Sequence, residues 1–346
     1  MTSAAGQESL EVDLLIVGAG PVGLFGAYYA GFRGLSVAIV DSLPEIGGQV
    51  TAMYPEKDIY DVGGFAVIKG RDLVDRLVQQ AASADPRYLM GRTAVDLSLP
   101  TDSSGAERDG VPPASDRSVW VGLDDGTTVH AGALILTAGI GKFTPRPLPA
   151  GVGWEGRGLT FFVSSFEEYR DKDVVVVGGG DSAFDWALHL PTVARSVTLV
   201  HRREKFRAAQ STVEKVRRLP VDLRIPANVT QLLGDGWVEA VEITDVKTGE
   251  ASRVKTQAVV AALGFLADLG PLTDWGLELK DRYVMVDTTM RTALPRVYAA
   301  GDIAGYAGKL RLIATGFGEV ATAVNNAAVA INPSVSLFPG HSSAQD

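Results

Sequence analysis

The sequence predicts an α/β fold made of two Rossmann-like modules, and three observations support this prediction. An apolar run at 12–17 leads into a glycine pattern at 18–23, and a second apolar run at 173–177 leads into a similar pattern at 178–183. Each pattern is followed by another apolar strand, a hairpin signal and an apolar strand that ends in glycine. Two copies of one supersecondary unit indicate two nucleotide-binding modules, each with three layers and a β-meander.

The first glycine pattern is a G-x-G-x-x-G between a strand and a helix, which is the context of a dinucleotide fingerprint. Gly18 allows the tight turn, Gly20 lets a pyrophosphate approach the backbone, and Gly23 lets the helix pack on the strand. Pro21 suits the first helical turn, where an N–H would lack a partner. The remaining N–H groups and the helix dipole favour an anion at this position.

Taken alone, this stretch has two other interpretations. One is a tight turn from strand to helix that binds no ligand. The other is a membrane helix, because residues 14–32 carry no charge and a spanning helix needs about 20 apolar residues. Five glycines and a proline within this stretch argue against the membrane helix.

An acidic residue follows the first glycine pattern. Asp41 comes directly after the next apolar strand, 36–40, and lies eighteen positions after Gly23. An acid about 20 positions beyond the glycines holds a ribose through its hydroxyl groups. Asp41 is therefore the predicted ribose ligand of the first module, and the alternative is an ordinary acid at the end of a strand.

The second glycine pattern is a G-x-G-x-x-A. Gly178, Gly180 and Ala183 occupy its three small-residue positions, and Asp181 and Ser182 open the predicted helix. We expect this segment to hold the pyrophosphate of a second dinucleotide, for the same reasons as in the first module.

Basic residues stand where the first module has its acid. His201, Arg202 and Arg203 follow the strand 196–200, and Arg207 lies close behind. Arginines bind a 2′-phosphate through charge-assisted hydrogen bonds, whereas a carboxylate would repel it. The second module is thus predicted to bind NADP(H), and the first a nucleotide with a free ribose. The alternative for the basic run is a solvated helix face.

A third motif lies near the C-terminus. An apolar strand ends at Gly301, and Asp302 follows. In a flavin site such an acid accepts a hydrogen bond from a ribityl hydroxyl; elsewhere it is a loop acid or a helix cap. The helix predicted at 316–331 would aim the positive end of its dipole at the pyrimidine end of a flavin and stabilise the reduced ring.

The composition argues against several classes of protein. The 346-residue chain has a net charge of −9, which argues against nucleic-acid binding. It has no cysteine, which excludes disulfides, thiolate nucleophiles, iron–sulfur ligation and dithiol relays within the chain. The four histidines have no zinc-like spacing, so we expect no bound metal. An N-terminus that is acidic, unlike a signal peptide, predicts a cytoplasmic protein with no membrane segment.

Together these motifs, which span nearly the whole chain, resemble the pyridine nucleotide–disulfide oxidoreductase superfamily in the small architecture of thioredoxin reductase. The resemblance implies a discontinuous FAD-binding domain, 1–147 and 286–346, into which an NADP-binding domain, 148–285, is inserted. Thioredoxin reductases carry a C-x-x-C just before the second glycine pattern, where residues 160–166 of this chain contain no cysteine. Electrons therefore cannot pass to a disulfide by that route.

The chain resembles more closely the thioredoxin-reductase-like class of ferredoxin–NADP⁺ reductases. Tyr-Pro-Glu-Lys at 54–57 and His-Ser-Ser at 341–343 carry most of this distinction. The other matching segments are 47–49, 52–53, 59–62, 180–183 and 201–208.

This resemblance implies roles for individual residues. Tyr54 would stack on one face of the isoalloxazine and His341 would cover the other, with Ser343 near the N5 edge. The C-terminal tail would come from the partner subunit of a homodimer, although this chain stops at Asp346, soon after the histidine. The other residues implied for the FAD site are Asp41 on the adenosine ribose and Gly48, Gln49, Val95, Phe143, Gly301 and Asp302.

The implied activity is electron transfer from NADPH to a carrier protein. NADPH would deliver a hydride to flavin N5, and electrons would leave one at a time to ferredoxin or flavodoxin, reversibly and without an obligatory acid–base residue. Two alternatives are a reductase of a quinone or another small acceptor, and a non-catalytic NADPH-binding flavoprotein that senses redox state. An acidic carrier would need a local basic patch, for which the candidates are Lys57, Lys69, Arg71, Lys309 and Arg311.

Overall fold

The structure is a computed structural model, and it describes residues 9–99 and 119–340. The strands within these ranges are β1 (Ser9–Val17), β2 (Val37–Asp41), β3 (Asp58–Ile59), β4 (Ile68–Lys69), β5 (Arg87–Met90), β6 (Ala94–Ser98), β7 (Val119–Leu123), β8 (Thr128–Leu136), β9 (Lys142–Pro145), β10 (Leu159–Thr160), β11 (Asp173–Val177), β12 (Ser196–Val200), β13 (Val221–Arg224), β14 (Ala227–Leu233), β15 (Ala240–Asp245), β16 (Ala251–Lys255), β17 (Ala258–Ala261), β18 (Phe265–Asp268), β19 (Leu279–Lys280), β20 (Tyr283–Met285), β21 (Val297–Ala299) and β22 (Ala304–Gly305). The α-helices within these ranges are α1 (Pro21–Phe32), α2 (Gly48–Met53), α3 (Gly70–Ala81), α4 (Asp181–His189), α5 (Gln210–Val216) and α6 (Ile313–Ile331).

The described residues divide into two compact units. The first unit contains the residues up to Thr51, then Asp58–Lys142, then the chain from Ala267 onward. The second unit contains Ala52–Lys57 and Phe143–Leu266. The main segment of the second unit is therefore inserted into the sequence of the first.

Residues 267–285 lie in the first unit, whereas the sequence analysis placed them in the NADP-binding domain. Leu269, Leu272 and Trp275 of this segment pack in the apolar core of the first unit. The indole N–H of Trp275 also donates to the carbonyl of Val95 (3.1 Å). The division of the chain into FAD-binding and NADP-binding domains stays a prediction.

The main sheet of the first unit has the strand order β5-β2-β1-β8-β7-β6. Strands β5, β2, β1 and β8 are parallel, and β7 and β6 continue the sheet as an antiparallel meander. β21 pairs in parallel with the last residues of β8, 134–136. β1 lies in the middle of the parallel part, so its carboxyl end is at the edge where dinucleotides bind in such folds.

β8 is one continuous strand of nine residues. The sequence pattern predicts two strands here, 127–130 and 133–138, and that prediction is wrong. A Cβ on Gly132 would lie 2.9 Å from both the Asp13 carbonyl oxygen and Ile331 Cγ1. Glycine stands at this position because β1 and α6 approach closely, not because the strand ends.

The second unit contains a parallel sheet with the strand order β10-β17-β11-β12-β13. The central strands β11 and β17 are almost wholly apolar and buried, as expected of parallel strands covered on both faces. β14, β15 and β16 form an antiparallel meander. The predicted α/β class, with two Rossmann-like sheets and a meander in each unit, is confirmed.

The uncharged stretch 14–32 is the end of a buried strand followed by the 12-residue helix α1. A Cβ on Gly26 of α1 would lie 2.7 Å from Val320 Cγ2 of α6, so glycine allows the two helices to pack closely. Within residues 9–99 and 119–340, no helix is both long enough and apolar enough to cross a membrane. Because residues 14–17 belong to β1 and only 21–32 are helical, the interpretation of 14–32 as one membrane helix is wrong.

Candidate functional site

Two glycines of the first pattern are required by the protein's own packing. Gly18 has φ +118°, and a Cβ there would lie 2.4 Å from the carbonyl oxygen of Thr137. A Cβ on Gly23 would lie 1.9 Å from the carbonyl oxygen of Gly18. The hydroxyl of Thr137 donates to that same oxygen (2.8 Å), which fixes the turn between β1 and α1.

Gly20 is different, because the protein leaves space beside it. A Cβ there would meet no atom of the described residues within 4 Å, and its φ of −72° suits any residue. Gly20 is the N-cap of α1 and has no side chain to bond the first-turn N–H groups. With Pro21 as the first helical residue, this helix end fits a bound anion such as a pyrophosphate.

Asp41 lies beside the same turn. Its Oδ2 accepts from the N–H of Ala19 (2.7 Å) and its Oδ1 accepts from the N–H of Leu43 (2.8 Å). Burial raises the pKa of Asp41 above its usual value, and these two backbone hydrogen bonds act in the opposite direction. Each carboxylate oxygen keeps a further lone pair, so the group can accept from ribose hydroxyls.

The next loop packs onto the glycine turn. The N–H of Gly47 donates to the Ala19 carbonyl (2.9 Å), and a Cβ on Gly48 would lie 2.9 Å from Gly20 Cα. The Gln49 side chain lies against Gly139, where a Cβ would stand 2.4 Å from Gln49 Nε2. Gly48 and Gln49 are thus brought to the predicted cofactor loop.

Val95 lies at an irregularity in β6. The pairing of β6 with β7 shifts register between Ala94 and Asp96, which leaves Val95 at a β-bulge. Its carbonyl accepts the indole N–H of Trp275, so the bulge is held within the first unit.

The third motif contacts the starts of helices α1 and α6. Gly301 has φ +78°, and a Cβ there would lie 3.2 Å from Val22 Cγ2 in the first turn of α1. A Cβ on Gly316, in the first turn of α6, would lie 2.5 Å from the same Val22 atom and 3.3 Å from Gly301 Cα. Asp302 is therefore placed next to the start of α1, as a shared FAD site requires.

Asp302 is partly buried among charged residues. Burial raises the pKa of its carboxyl above the usual value, and the positive charges of Lys309 and Arg311 act in the opposite direction. Glu319 adds to the increase. The sequence analysis identified Asp302 but not the groups around it.

Glu319 contacts the third motif and was not among the residues predicted from the sequence. Its side chain is buried, with 5% exposure, in the second turn of α6. Its carboxylate accepts from the N–H of Gly301 (2.8 Å), the hydroxyl of Tyr306 and the ammonium of Lys309. An acid on the apolar face of a helix was the available signal, because such a residue needs buried partners.

The second glycine pattern repeats the geometry of the first. The N–H of Gly178 donates to the carbonyl of Val200 (3.0 Å), just as the N–H of Gly18 donates to the carbonyl of Val40 (2.8 Å). A Cβ on Gly178 would lie 2.4 Å from the carbonyl oxygen of Ala262. Gly180 is the N-cap of α4, and a Cβ on it would meet no described atom within 4 Å.

The basic run folds over this second turn. The imidazole of His201 lies where a Cβ on Gly179 would stand, 2.2 Å from its Cε1. The N–H of Arg207 donates to the Gly179 carbonyl (2.8 Å), and Asp181 Oδ1 accepts from the N–H of Ala209 (2.9 Å). The loop that carries the predicted phosphate-binding residues is thus fixed to the fingerprint.

The arginines of this loop remain available to an anion. Arg202, Arg203 and Arg207 are exposed. Burial lowers the pKa of His201 and the charges of Arg202 and Arg203 act in the same direction, although a hydrogen bond with the Lys205 backbone opposes them, so the neutral form of this histidine is favoured. The charge that would bind a 2′-phosphate therefore comes from the arginines.

The second unit also contains a pocket of about 120 Å³. Its walls combine aromatic rings with a few polar side chains, among them Ser182 and Asp185 of α4. The full lining is Met53, Tyr54, Lys57, Phe161, Phe162, Ser182, Asp185, Trp186, Ala262, Gly264 and Phe265. The rings of Phe162 and Phe265 are stacked, with centroids 5.1 Å apart, and Phe143 meets Phe265 edge-on. Ser182 of the fingerprint thus opens into an aromatic pocket suited to a flat ring.

Tyr54 and Phe143, which the resemblance assigns to the flavin site, are grouped with the second unit. His341 and Ser343 lie outside the described residues. Their roles toward a flavin stay predictions. Within residues 9–99 and 119–340, no cluster of side chains suited to a metal ion occurs.

The candidate docking cations are partly engaged. Lys309 is buried against Glu319, with 8% of its side chain exposed, so it cannot contribute to a surface patch. Lys57 Nζ lies 2.7 Å from Asp185 Oδ2, and the Arg311 guanidinium lies 4.1 Å from the ring centroid of Tyr283. The predicted patch is wrong for Lys309.

Comparison with known proteins agrees with this geometry. A family profile described as pyridine nucleotide-disulphide oxidoreductase matches residues 12–328. A protein of Nocardioides sp. named ferredoxin–NADP reductase is 62% identical over 335 residues, which cover 97% of this chain and 98% of that protein. A protein of the same name from Saccharopolyspora erythraea is 60% identical over 334 residues, 96% of this chain and 97% of that protein.

Among solved structures, thioredoxin reductase from T. acidophilum superposes with a TM-score of 0.72 at 27% identity, covering 92% of this chain and 98% of that chain. The likeness extends through both units, although this chain has no cysteine. The chain belongs to the pyridine nucleotide-disulphide oxidoreductase family and, within it, to the ferredoxin–NADP reductases.

Proposed function

We propose that this protein is an FAD-containing enzyme that transfers electrons from NADPH to ferredoxin or flavodoxin, reversibly. One observation carries the proposal. Gly20 and Gly180 occupy equivalent open N-caps, but Asp41 follows the first and exposed arginines follow the second. An acid suits a ribose with free hydroxyls and arginines suit a 2′-phosphate, so the two sites would hold FAD and NADPH respectively.

The first unit fits FAD in its donors and acceptors. The first-turn N–H groups of α1 would bind the pyrophosphate, and Asp41 would accept from the adenosine ribose. Asp302 would accept from the ribityl chain. Leu312, the N-cap of α6, has no polar side chain, so the N–H groups of that helix start would also remain for the cofactor.

Bound FAD would supply the redox chemistry, because it can take a hydride at N5 and release electrons one at a time. The protein's part is to position the donors and exclude water. The second glycine turn would bind the NADPH pyrophosphate, and Arg202, Arg203 and Arg207 would bind its 2′-phosphate. The aromatic pocket beside Ser182 is suited to the nicotinamide ring.

The remaining flavin contacts are part of the proposal. Tyr54 and the tail residues His341 and Ser343 would cover the isoalloxazine. The tail would come from a second copy of the chain, so we propose a homodimer. We further propose that the protein acts in the cytoplasm, where NADPH and ferredoxin are available. The names of the relatives from Nocardioides sp. and Saccharopolyspora erythraea support ferredoxin as the acceptor.

The proposal is tested by anaerobic titration of the purified yellow protein with NADPH and, separately, with NADH, followed by addition of oxidised ferredoxin. We expect NADPH to bleach the flavin at stoichiometric amounts, NADH to do so poorly, and ferredoxin to restore the colour. Ferredoxin-dependent reduction of cytochrome c separates this function from that of a small-acceptor reductase. Flavin that NADPH cannot reduce would indicate a sensor instead.

A further inference from the structure

A buried ion pair lies directly behind the third motif. The Lys309 ammonium donates to both carboxylate oxygens of Glu319, and both side chains are almost fully buried, with exposures of 8% and 5%. Tyr306 donates its hydroxyl to the same carboxylate, and the ammonium lies 5.5 Å from the Tyr306 ring centroid. The group therefore forms a compact network on one side of Gly301.

A buried ion pair contributes little net stability to a fold, because its desolvation is unfavourable. Removing two charges from water costs several kcal/mol per ion, and apolar residues of similar volume are often as stable or more stable. General stability therefore does not explain why this pair lies in the core of the first unit. Its hydrogen bonds indicate what it does there.

Glu319 connects α6 to the backbone of the third motif. Its Oε2 accepts the N–H of Gly301 at 2.8 Å, one residue before Asp302. Gly301 and Gly316 both lie against Val22, in the first turn of α1. One carboxylate thus fixes the point at which the start of α1, the start of α6 and the third motif converge.

The two charges of the pair have opposite effects on Asp302. The positive charge of Lys309 counteracts the effect of burial on the pKa and favours the ionised, hydrogen-bond-accepting form, whereas the negative charge of Glu319 adds to the effect of burial. Because both oxygens of Glu319 hold the ammonium, Lys309 remains engaged in its own pair. Asp302 therefore keeps its acceptor capacity for a ligand.

We propose that Glu319 and Lys309 are positioning residues of the FAD site, which hold Gly301 and Asp302 in the geometry that receives the ribityl chain. This inference rests on the proposed function. Glu319 acts through the N–H of Gly301 and Lys309 acts through Glu319, and neither is assigned a contact with the cofactor.

Two neutral double variants separate positioning from stability. Lys309→Met with Glu319→Gln removes both charges but keeps a carbonyl oxygen for the Gly301 N–H. Lys309→Met with Glu319→Leu removes the charges and that acceptor together. Asp125→Asn is the control, because it breaks an ion pair in the first unit between Asp125 and Arg92 that is 37% and 31% exposed.

The readouts are the dissociation constant of FAD from the apoprotein and the position and shape of the visible flavin bands, with far-UV circular dichroism to verify folding. We expect the Gln variant to bind FAD within about threefold of the wild type. We expect the Leu variant to bind it at least about tenfold more weakly, with altered flavin bands, because the Gly301 N–H loses its acceptor. Asp125→Asn is expected to change neither readout.

Equal FAD affinity and equal flavin bands in the two folded double variants would overturn the inference while leaving the proposed function intact. A wild-type protein that binds no FAD would instead overturn the proposed function. If a double variant does not fold, Tyr306→Phe gives the test, because it removes one donor to Glu319 and keeps the ring. We expect FAD affinity about two- to fivefold weaker in that variant, and unchanged affinity and bands would overturn the inference.

Discussion

Gly48 lies so close to Gly20 that a Cβ on Gly48 would stand 2.9 Å from Gly20 Cα. Gly48 also has φ +57°, so alanine there would bring both strain and a backbone collision. Gly91 has a similar φ of +69°, but a Cβ on it would meet no described atom within 4 Å. The two glycines share one conformational demand and differ in the space around them.

We expect Gly91→Ala to destabilise the protein by about 1–2 kcal/mol, the usual cost of a left-handed residue. Gly48→Ala should cost more and should also weaken FAD binding, because the loop must move away from the glycine turn. Thermal unfolding of the apoprotein and FAD titration would measure both effects. Equal losses in the two variants would show that the contact with Gly20 is unimportant.

The open N-caps at Gly20 and Gly180 predict that alanine at either position leaves the stability of the apoprotein nearly unchanged, unlike alanine at Gly48. Each added methyl group enters space that the described protein atoms leave free, at a φ that alanine accepts. The unfolding free energy of the apoprotein should therefore change by no more than about 0.5 kcal/mol. Gly20→Ala should lose FAD, whereas Gly180→Ala should keep FAD and raise the KM for NADPH.

Each of these two variants is the control for the other. Loss of both nucleotides in either variant, or a large fall in the stability of the apoprotein, would show that the space is not reserved for a ligand.

The raised pKa of Asp41 predicts opposite effects of pH on the apoprotein and on FAD binding. Because its pKa in the folded protein lies above the unfolded value of 3.8, the stability that this group contributes is fully present below 3.8. That contribution is lost as the pH rises through the folded-state pKa. FAD binding needs the ionised carboxylate, so affinity should fall as the pH decreases through the same range.

Asp41→Asn should remove both dependences and weaken FAD binding at pH 7. The measurements are FAD release and apoprotein unfolding between pH 4 and pH 7 for the two proteins. An affinity that falls equally with acidification in the asparagine variant would assign the effect to another group.

Much of this candidate site could be predicted from the sequence, because many of its residues belong to local sequence patterns. The turn at Gly18–Gly23, the acid at Asp41 and the basic run at 201–207 each follow a strand at a regular distance, so chain order alone locates them. Glu319 could not be found in this way. Its partners Gly301, Tyr306 and Lys309 meet it only through the packing of α6.

Other errors have the same origin. Lys309 is a candidate for a basic docking patch when only the sequence is considered, and only the fold shows its buried partner Glu319. The bounds of the FAD-binding and NADP-binding domains stay predictions, but nothing local in residues 267–285 indicates that Trp275 packs in the core of the first unit. Gly132 looked like a boundary between two strands because the close approach of β1 and α6 is not visible in the sequence.

The exposed arginines predict the choice between nucleotides. A hydrogen bond between charged groups contributes about 1.5–3 kcal/mol, so Arg202→Ala and Arg203→Ala should each lower kcat/KM for NADPH by about 10- to 100-fold. The value for NADH should change little, because NADH lacks the 2′-phosphate. Arg195→Ala is the matched control, since Arg195 is an exposed arginine of the same unit that pairs with Asp173.

Steady-state kinetics with both nucleotides would measure this effect. If the two nucleotides lost activity in parallel, the arginines would act on something other than the 2′-phosphate.

Removal of the C-terminal tail should change the rate at which NADPH reduces the flavin. If His341 covers the flavin face that the nicotinamide must reach, a protein ending at Gly340 should be reduced by NADPH faster than the intact chain. Stopped-flow absorbance of the flavin under anaerobic conditions measures this step. Identical rates would show that the tail does not control access to the flavin.

Residues 52–57 belong by their contacts to the second unit, although the chain on both sides belongs to the first. Lys57 pairs with Asp185 and Tyr54 lines the pocket beside Ser182. A recombinant chimera that exchanged only residues 143–266 with a relative would therefore combine one parent's pocket with the other parent's lining segment. Exchange of this aromatic pocket between relatives, in the laboratory or in evolution, should preserve its lining only when this hexapeptide is inherited together with the insert.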